Sequence, residues 1–158
     1  MYTIGEVIVY GSNGVCEIID IAKKSFIPNQ FNDYYVLKPI NSQNNTIYAP
    51  VDNCNKLRYP LTKDEIESII KKCGKTKVKA KTQFDGMDYS SILKSGDTES
   101  LVNLIRLLEA SKEVIINSGK KFHIAEEHAL KSAKKMVCDE FSYILKTDEQ
   151  SVLKLILE

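Results

Sequence analysis

The sequence predicts an α+β protein in two parts, a small curled antiparallel β domain followed by a helical domain. Three observations predict it. In the first sixty residues, short β-rich runs alternate with turn signals at roughly 8–12-residue spacing. From residue 62 the apolar period becomes helical, near 3.6. The chain of 158 residues is 43% hydrophobic and 27% charged, a globular composition long enough for one ordinary domain or two small ones.

Val7-Ile8-Val9-Tyr10 reads as the first strand, running into the turn signal Gly11-Ser12-Asn13-Gly14. Val15 to Ile21 reads as the second, with Glu17 and Asp20 breaking its apolar run, and Pro28-Asn29-Gln30 marks a polar loop. Asp33 to Lys38 reads as the third strand. Asn41-Ser42-Gln43-Asn44-Asn45 is a polar turn, and Thr46-Ile47-Tyr48-Ala49 a fourth strand. Pro50 has no N–H to give a ladder, which suits a strand end or an edge. Sixty residues bury only a modest core, so the sheet is expected to close partly on itself.

Thr62-Lys63-Asp64-Glu65 has capping-box spacing and opens a helix with Ile66, Ile69 and Ile70 on one face and Gly74 as its expected left-handed stop. A short amphipathic piece is expected over Met87–Lys94, ending at Ser95-Gly96. Asp97 can cap a longer helix with the stripe Leu101, Leu104, Ile105, Leu108 and Ile115. Gly119 interrupts it. The next helix is expected from about Ile124 to Leu145, with Leu130, Ala133, Val137, Phe141 and Ile144 on one face. Thr147-Asp148-Glu149-Gln150 reads as a second capping box before a last helix with Val152, Leu153 and Ile156. The expected division is a β domain at 1–60 and a helical domain at 61–158, with a lysine-rich junction at 71–81.

Charge is uneven. Of 22 basic and 21 acidic groups, five and five lie in residues 1–60, eight and five in 61–96, and nine and eleven in 97–158. The stretch 71–81 holds six lysines and no acid. A net charge of +1 excludes a polycation but leaves room for a local basic patch. No apolar run reaches the roughly 18–20 residues of a membrane span. The N-terminal residues lack a basic region followed by an apolar stretch, so no secretory signal is expected.

Enzyme chemistry finds no foothold. Cys16, Cys54, Cys73 and Cys138 form no Cys-x-x-Cys pair and read as reduced, mostly buried thiols of a cytoplasmic protein. His123 and His128 are five apart, which splays them on a helix instead of pairing them for a metal. Gly74-Lys75-Thr76 resembles the tail of a phosphate loop, but Ile69 stands where that loop needs glycine. Glu126-Glu127 and Asp139-Glu140 are adjacent pairs whose members diverge on a helix, and they read as solvated faces. No catalytic site, metal, cofactor or small-molecule substrate is expected, and a binding module is the default.

Four segments carry a resemblance. Gly5-Glu6-Val7-Ile8-Val9-Tyr10, Gly14-Val15-Cys16-Glu17-Ile18, Tyr35-Val36-Leu37-Lys38 and Ile47-Tyr48-Ala49-Pro50-Val51-Asp52-Asn53 resemble the RNA-polymerase-interacting domain of the CarD/CdnL family, shared with transcription-repair coupling factor. In the helical half, Ile92-Leu93-Lys94-Ser95-Gly96-Asp97 and residues 125–134 resemble CarD as well. The resemblance implies a Tudor/SH3-like barrel docked on the polymerase β subunit, partly by strand pairing. It also implies a helical domain at the upstream edge of the promoter bubble, in a bacterial transcription regulator that stabilises the open complex through weak, non-specific DNA contact. The polymerase-facing positions it implies are Lys24, Phe26, Ile47 and Tyr48, with Ile47 reading equally as core.

On the DNA side the family's tryptophan wedge has no counterpart, because the chain contains no tryptophan. Ungapped counting lands on Thr82, with Phe84 two residues on and Asp85 and Asp88 where relatives are basic. Phe84 reads either as a smaller wedge or as a residue packed beneath the helices. Lys75, Lys77, Lys79 and Lys81 read either as phosphate contacts or as a solvated linker. The alternative function is a polymerase- or protein-binding adaptor without a DNA wedge.

Overall fold

The computed structural model describes every residue except Gln43, residues 53–55 and Asp85, together with the side chain of Ser12. Cys54, and the expected roles of Gln43, Asn53 and Asp85, therefore lie outside the described residues. The chain divides into two compact units, Met1–Pro60 and Leu61–Glu158.

The first unit is an antiparallel sheet of β1 (Val7–Tyr10), β2 (Val15–Ile27), β3 (Gln30–Pro39), β4 (Ile47–Pro50) and β5 (Leu57–Arg58), in the order β4-β3-β2-β1-β5. The expected barrel does not close. β4 and β5 are the two ends of an open sheet, and β5 has two residues, too few to reach round to a partner. β2 and β3 run further than their apolar patterns suggested. Ile27 pairs with Gln30, so Pro28-Asn29 is a tight two-residue turn, and Asn29 supplies the positive φ of 63° it requires. The two strands form a twisted ribbon whose register shifts between Ile18 and Asp20 and again between Lys24 and Ile27. Ile8, Cys16, Ile18, Tyr35, Leu37 and Ala49 fill the core beneath the sheet. Tyr2 closes one end of it, donating from its hydroxyl to the Leu57 carbonyl at 3.1 Å and stacking edge-on against Tyr35.

The second unit holds α1 (Lys63–Lys75), α2 (Tyr89–Ser95), α3 (Thr98–Asn117), α4 (Ile124–Leu145) and α5 (Glu149–Leu157). The Thr62–Glu65 capping box forms in both directions. Gly74 does not stop α1. It stays helical, and the helix ends at Thr76, whose N–H donates to the Cys73 carbonyl. The first part of the lysine junction, through Lys75, is therefore helix. Asp88 caps α2, which starts two residues later than expected. Asp148, not Thr147, caps α5, because its carboxylate reaches the Ser151 N–H at 2.7 Å. His123 occupies the N-cap position of α4 instead of lying inside that helix.

The stripes of α3 and α4 meet in one core with Ile66 of α1 and Val152 and Ile156 of α5. Cys16, Cys73 and Cys138 are buried. Two acidic residues expected on solvated faces are inside. Glu126, 8% exposed, accepts from the Tyr89 hydroxyl at 3.0 Å, and Glu140, 2% exposed, accepts from the Leu61 N–H at 2.9 Å. A helix presents adjacent residues about 100° apart, so one member of each pair turned inward where a donor waited.

Candidate functional site

The register of β3 decides which groups the β unit offers outward. The Asp33 carbonyl accepts from the Val51 N–H at 3.0 Å, so Asp33, Tyr35 and Leu37 turn their main chain toward β4, while Tyr34 and Val36 turn theirs toward β2. Ile47 and Ala49, opposite Leu37 and Tyr35, thus carry the β3–β4 ladder, and the main-chain N–H and C=O of Tyr48 face the open edge. Pro50 shares that outward parity, so its missing N–H costs the sheet nothing.

Side chains alternate in the opposite sense. Ile47 packs against the core, as its alternative reading held. Tyr48 projects to the outer face with Lys24, and Phe26 joins them from within the second register shift. The Phe26 ring stands edge-on to Tyr34 at 5.0 Å and lies 5.5 Å from Tyr48, while Lys24 Nζ sits 5.9 Å from the Tyr48 centroid. Phe26 is 60% and Tyr48 38% exposed, with Ile27 and Phe31 also exposed toward the ribbon tip. Three of the four residues implied for the polymerase side therefore form one surface cluster beside an open strand edge, and Ile47 lies apart from it. Tyr34 is the member that sequence reading missed. Its signal was the adjacent pair Tyr34-Tyr35, which a strand must send to opposite faces.

This segment has a counterpart among known domains. Residues 2–60 match the family model described as the CarD-like/TRCF RID domain. The β unit is similar to a CarD-like/TRCF RID domain. Such a domain is an RNA-polymerase-interacting, protein-binding module. No curated protein matches the chain. The match spans the RID domain alone, so the role of the helical unit rests on that unit's own residues.

In the helical unit, Lys75 ends α1 and Lys77, Lys79 and Lys81 follow it, all exposed. Between them Val78 and Ala80 are half-buried. The segment is fastened to α3 at two points. Arg106 Nη1 donates to the carbonyls of Cys73 and of Thr76, the latter at 3.2 Å, and the Lys81 N–H donates to Ser111 Oγ at 2.9 Å. Phe84 is half-buried against the helical core, edge-on to Phe122 at 6.3 Å. Lys112 Nζ lies 5.7 Å from the Phe122 centroid and pairs with Glu127 at 3.0 Å. Exposed Lys120 and Lys121 immediately precede Phe122. These three lysines were also missed. The adjacent pair Lys120-Lys121 beside Phe122 was the available sequence signal.

Among the described residues no group of three or more His, Cys, Asp or Glu side chains is placed to hold a metal. Among the described residues no helix is long and apolar enough to cross a membrane. The strongest proton-affinity shifts belong to packing, not chemistry. Burial raises the Tyr89 phenol well above its ordinary value, helped by the hydrogen bond to Glu126. Burial likewise raises the Cys138 thiol to about 12.

Proposed function

We propose that the chain is a bacterial, cytoplasmic transcription regulator. Its RID domain docks on the β subunit of RNA polymerase, and its helical unit touches promoter DNA near the upstream edge of the bubble. The observation that carries the polymerase half is the Lys24–Phe26–Tyr34–Tyr48 cluster standing beside the open β4 edge. An edge strand supplies main-chain groups for strand addition, and alternate side chains supply specificity. Exposed aromatics flanked by a cation have the composition of an interface anchor. In this reading the first sixty residues act as a Tudor-like docking domain, open instead of closed, and residues 61–158 as a separate DNA-facing domain.

On the DNA side the reading gives the work to Lys75, Lys77, Lys79 and Lys81. Lysines on phosphates position a protein without reading sequence, so the contact is weak and non-specific. Phe84 favours the second reading, an adaptor without wedge activity, because its ring is engaged with Phe122 and the core instead of projecting. Wedging would require it to leave that packing.

The test is binding of the full chain to purified RNA polymerase, with open-complex lifetime as a second readout. Phe26→Ala and Tyr48→Ala are expected to weaken polymerase binding by about thirtyfold each, the scale of an interface anchor. Retained affinity in both variants refutes the docking surface. Phe84→Ala with an unchanged open-complex lifetime selects the adaptor reading over the wedge.

A further inference from the structure

We infer that residues 75–81 form a preorganised comb for a single sugar–phosphate strand, with Arg106 and Ser111 as the positioning residues that hold it. The inference rests on the reading of these lysines as DNA contacts and specifies how the contact is built.

Three observations carry it. First, exposure alternates with a period of two: Lys77, Lys79 and Lys81 are exposed while Val78 and Ala80 are half-buried. That is the periodicity of an extended chain lying on a surface, and Thr76 enters it with extended angles, φ −85° and ψ 121°. Second, both ends are pinned to one helix. Arg106 of α3 holds the carbonyls of Cys73 and Thr76, and Ser111, itself fully buried, accepts the Lys81 N–H. Third, Val78 faces the groove along α3 that Ala110 and Ile116 also line, and in an extended chain the lysines on either side of it then point the other way.

Alternate residues of an extended strand are about 6.7 Å apart. Successive phosphates of one DNA strand rise about 3.4 Å along the axis, and the winding brings the path between them to roughly 7 Å. The tooth spacing and the phosphate repeat therefore match. A solvated linker would need neither the pinning nor the alternation. Of the carboxylates lining the same groove, Glu109 is engaged by Lys134, which leaves Glu113 beside four lysines.

The experiment measures affinity of the full chain for a short DNA oligonucleotide, single-stranded and duplex, across a salt series. The quadruple Lys75, Lys77, Lys79, Lys81→Ala variant is expected to lower the salt slope by about 3, at 0.7–0.9 per phosphate. Ser111→Ala keeps every lysine but frees the comb. It is expected to weaken binding about fivefold to thirtyfold, the scale of re-ordering one residue's backbone, with the slope unchanged. Arg106→Met provides the same test from the other anchor. Val78→Lys with Lys79→Val keeps the composition but turns one tooth inward, and is expected to lower the slope by about 1.

An ineffective quadruple variant overturns the DNA reading and the comb together. If the quadruple variant weakens binding while the anchor and transposed variants do not, the comb alone fails and the lysines act as diffuse charge. Tighter binding to phosphatidylserine vesicles than to either DNA overturns the assignment to a nucleic-acid strand.

Discussion

Replacing Tyr48 by proline separates the main chain of the β4 edge from the side chain it carries. The ladder to β3 runs through Ile47 and Ala49, so proline at 48 removes an N–H that points to solvent and leaves the ladder bonds in place. Proline's fixed φ suits an edge strand. Tyr48→Ala is the matched control. Both variants lose the ring that meets Phe26 at 5.5 Å and Lys24 at 5.9 Å. They share the anchor loss, about 2 kcal/mol or more of binding. Only the proline variant also strands a partner carbonyl, a further cost of about 1–3 kcal/mol. At 1.4 kcal/mol per decade, polymerase affinity should fall by roughly another fivefold to hundredfold from alanine to proline.

The assay is calorimetric or optical titration of the full chain against purified RNA polymerase, with a thermal melt of each variant. Equal affinities for Tyr48→Pro and Tyr48→Ala, with equal melting temperatures, would refute strand addition at this edge. A melting temperature markedly lower for the proline variant would instead refute the assignment of the ladder to Ile47 and Ala49.

Three further outcomes follow from buried and capping groups. Glu140→Ala removes the carboxylate that accepts the Leu61 N–H. It should cost about 1–3 kcal/mol, read as a drop of roughly 3–10 °C in Tm, and a shift below about 1 °C contradicts it. Asp88 and Asp148 are held below the ordinary aspartate range, Asp88 first by the Ser91 hydroxyl and Asp148 first by the Ser151 N–H. A depressed folded value means that their stabilisation is present above about pH 3.9 and is lost as pH falls through the folded value. Asp148→Asn, which still caps, should therefore flatten the acid limb of Tm against pH, and an unchanged limb removes Asp148 from it. Cys138, raised to about 12 by burial and then by the charges of Glu149 and Asp139, should resist iodoacetamide at pH 8 until denaturant is added. Rapid native alkylation at that residue, mapped by mass spectrometry, contradicts its burial.

The helical unit was legible because its signals are local. The stripes of α3 and α4 repeat every three or four residues, and their boundaries follow from Asp97 and from the turn at Gly119. The β unit was legible in its strands but not in its closure. Whether a sheet closes depends on the lengths and pairing of its last strands, and β5 is too short to announce itself in a pattern of two residues. Lys24, Phe26 and Tyr48 are twenty-odd residues apart at the extremes, so only register could gather them. Register here includes two shifts within β2 that no local pattern encodes. The inward turns of Glu126 and Glu140 were illegible for the same reason. Their donors, Tyr89 and Leu61, stand 37 and 79 residues away.

The same register makes the two uncovered edges of the long ribbon unlike. Past Ile18, where β1 gives out, β2 has a second uncovered edge, and its parity turns the main chain of Ile21 outward. That N–H is occupied: the Asp20 carboxylate accepts it at 2.8 Å. The register shift between Ile18 and Asp20 bends the strand at the same place. A bulge and a charged side chain on the main chain are the devices by which sheets blunt an edge against wrong partners. The β4 edge carries neither at Tyr48, and Pro50 shortens what it offers to a few residues. In the proposed docking, the opening at Tyr48 is the one that stands next to Phe26 and Lys24.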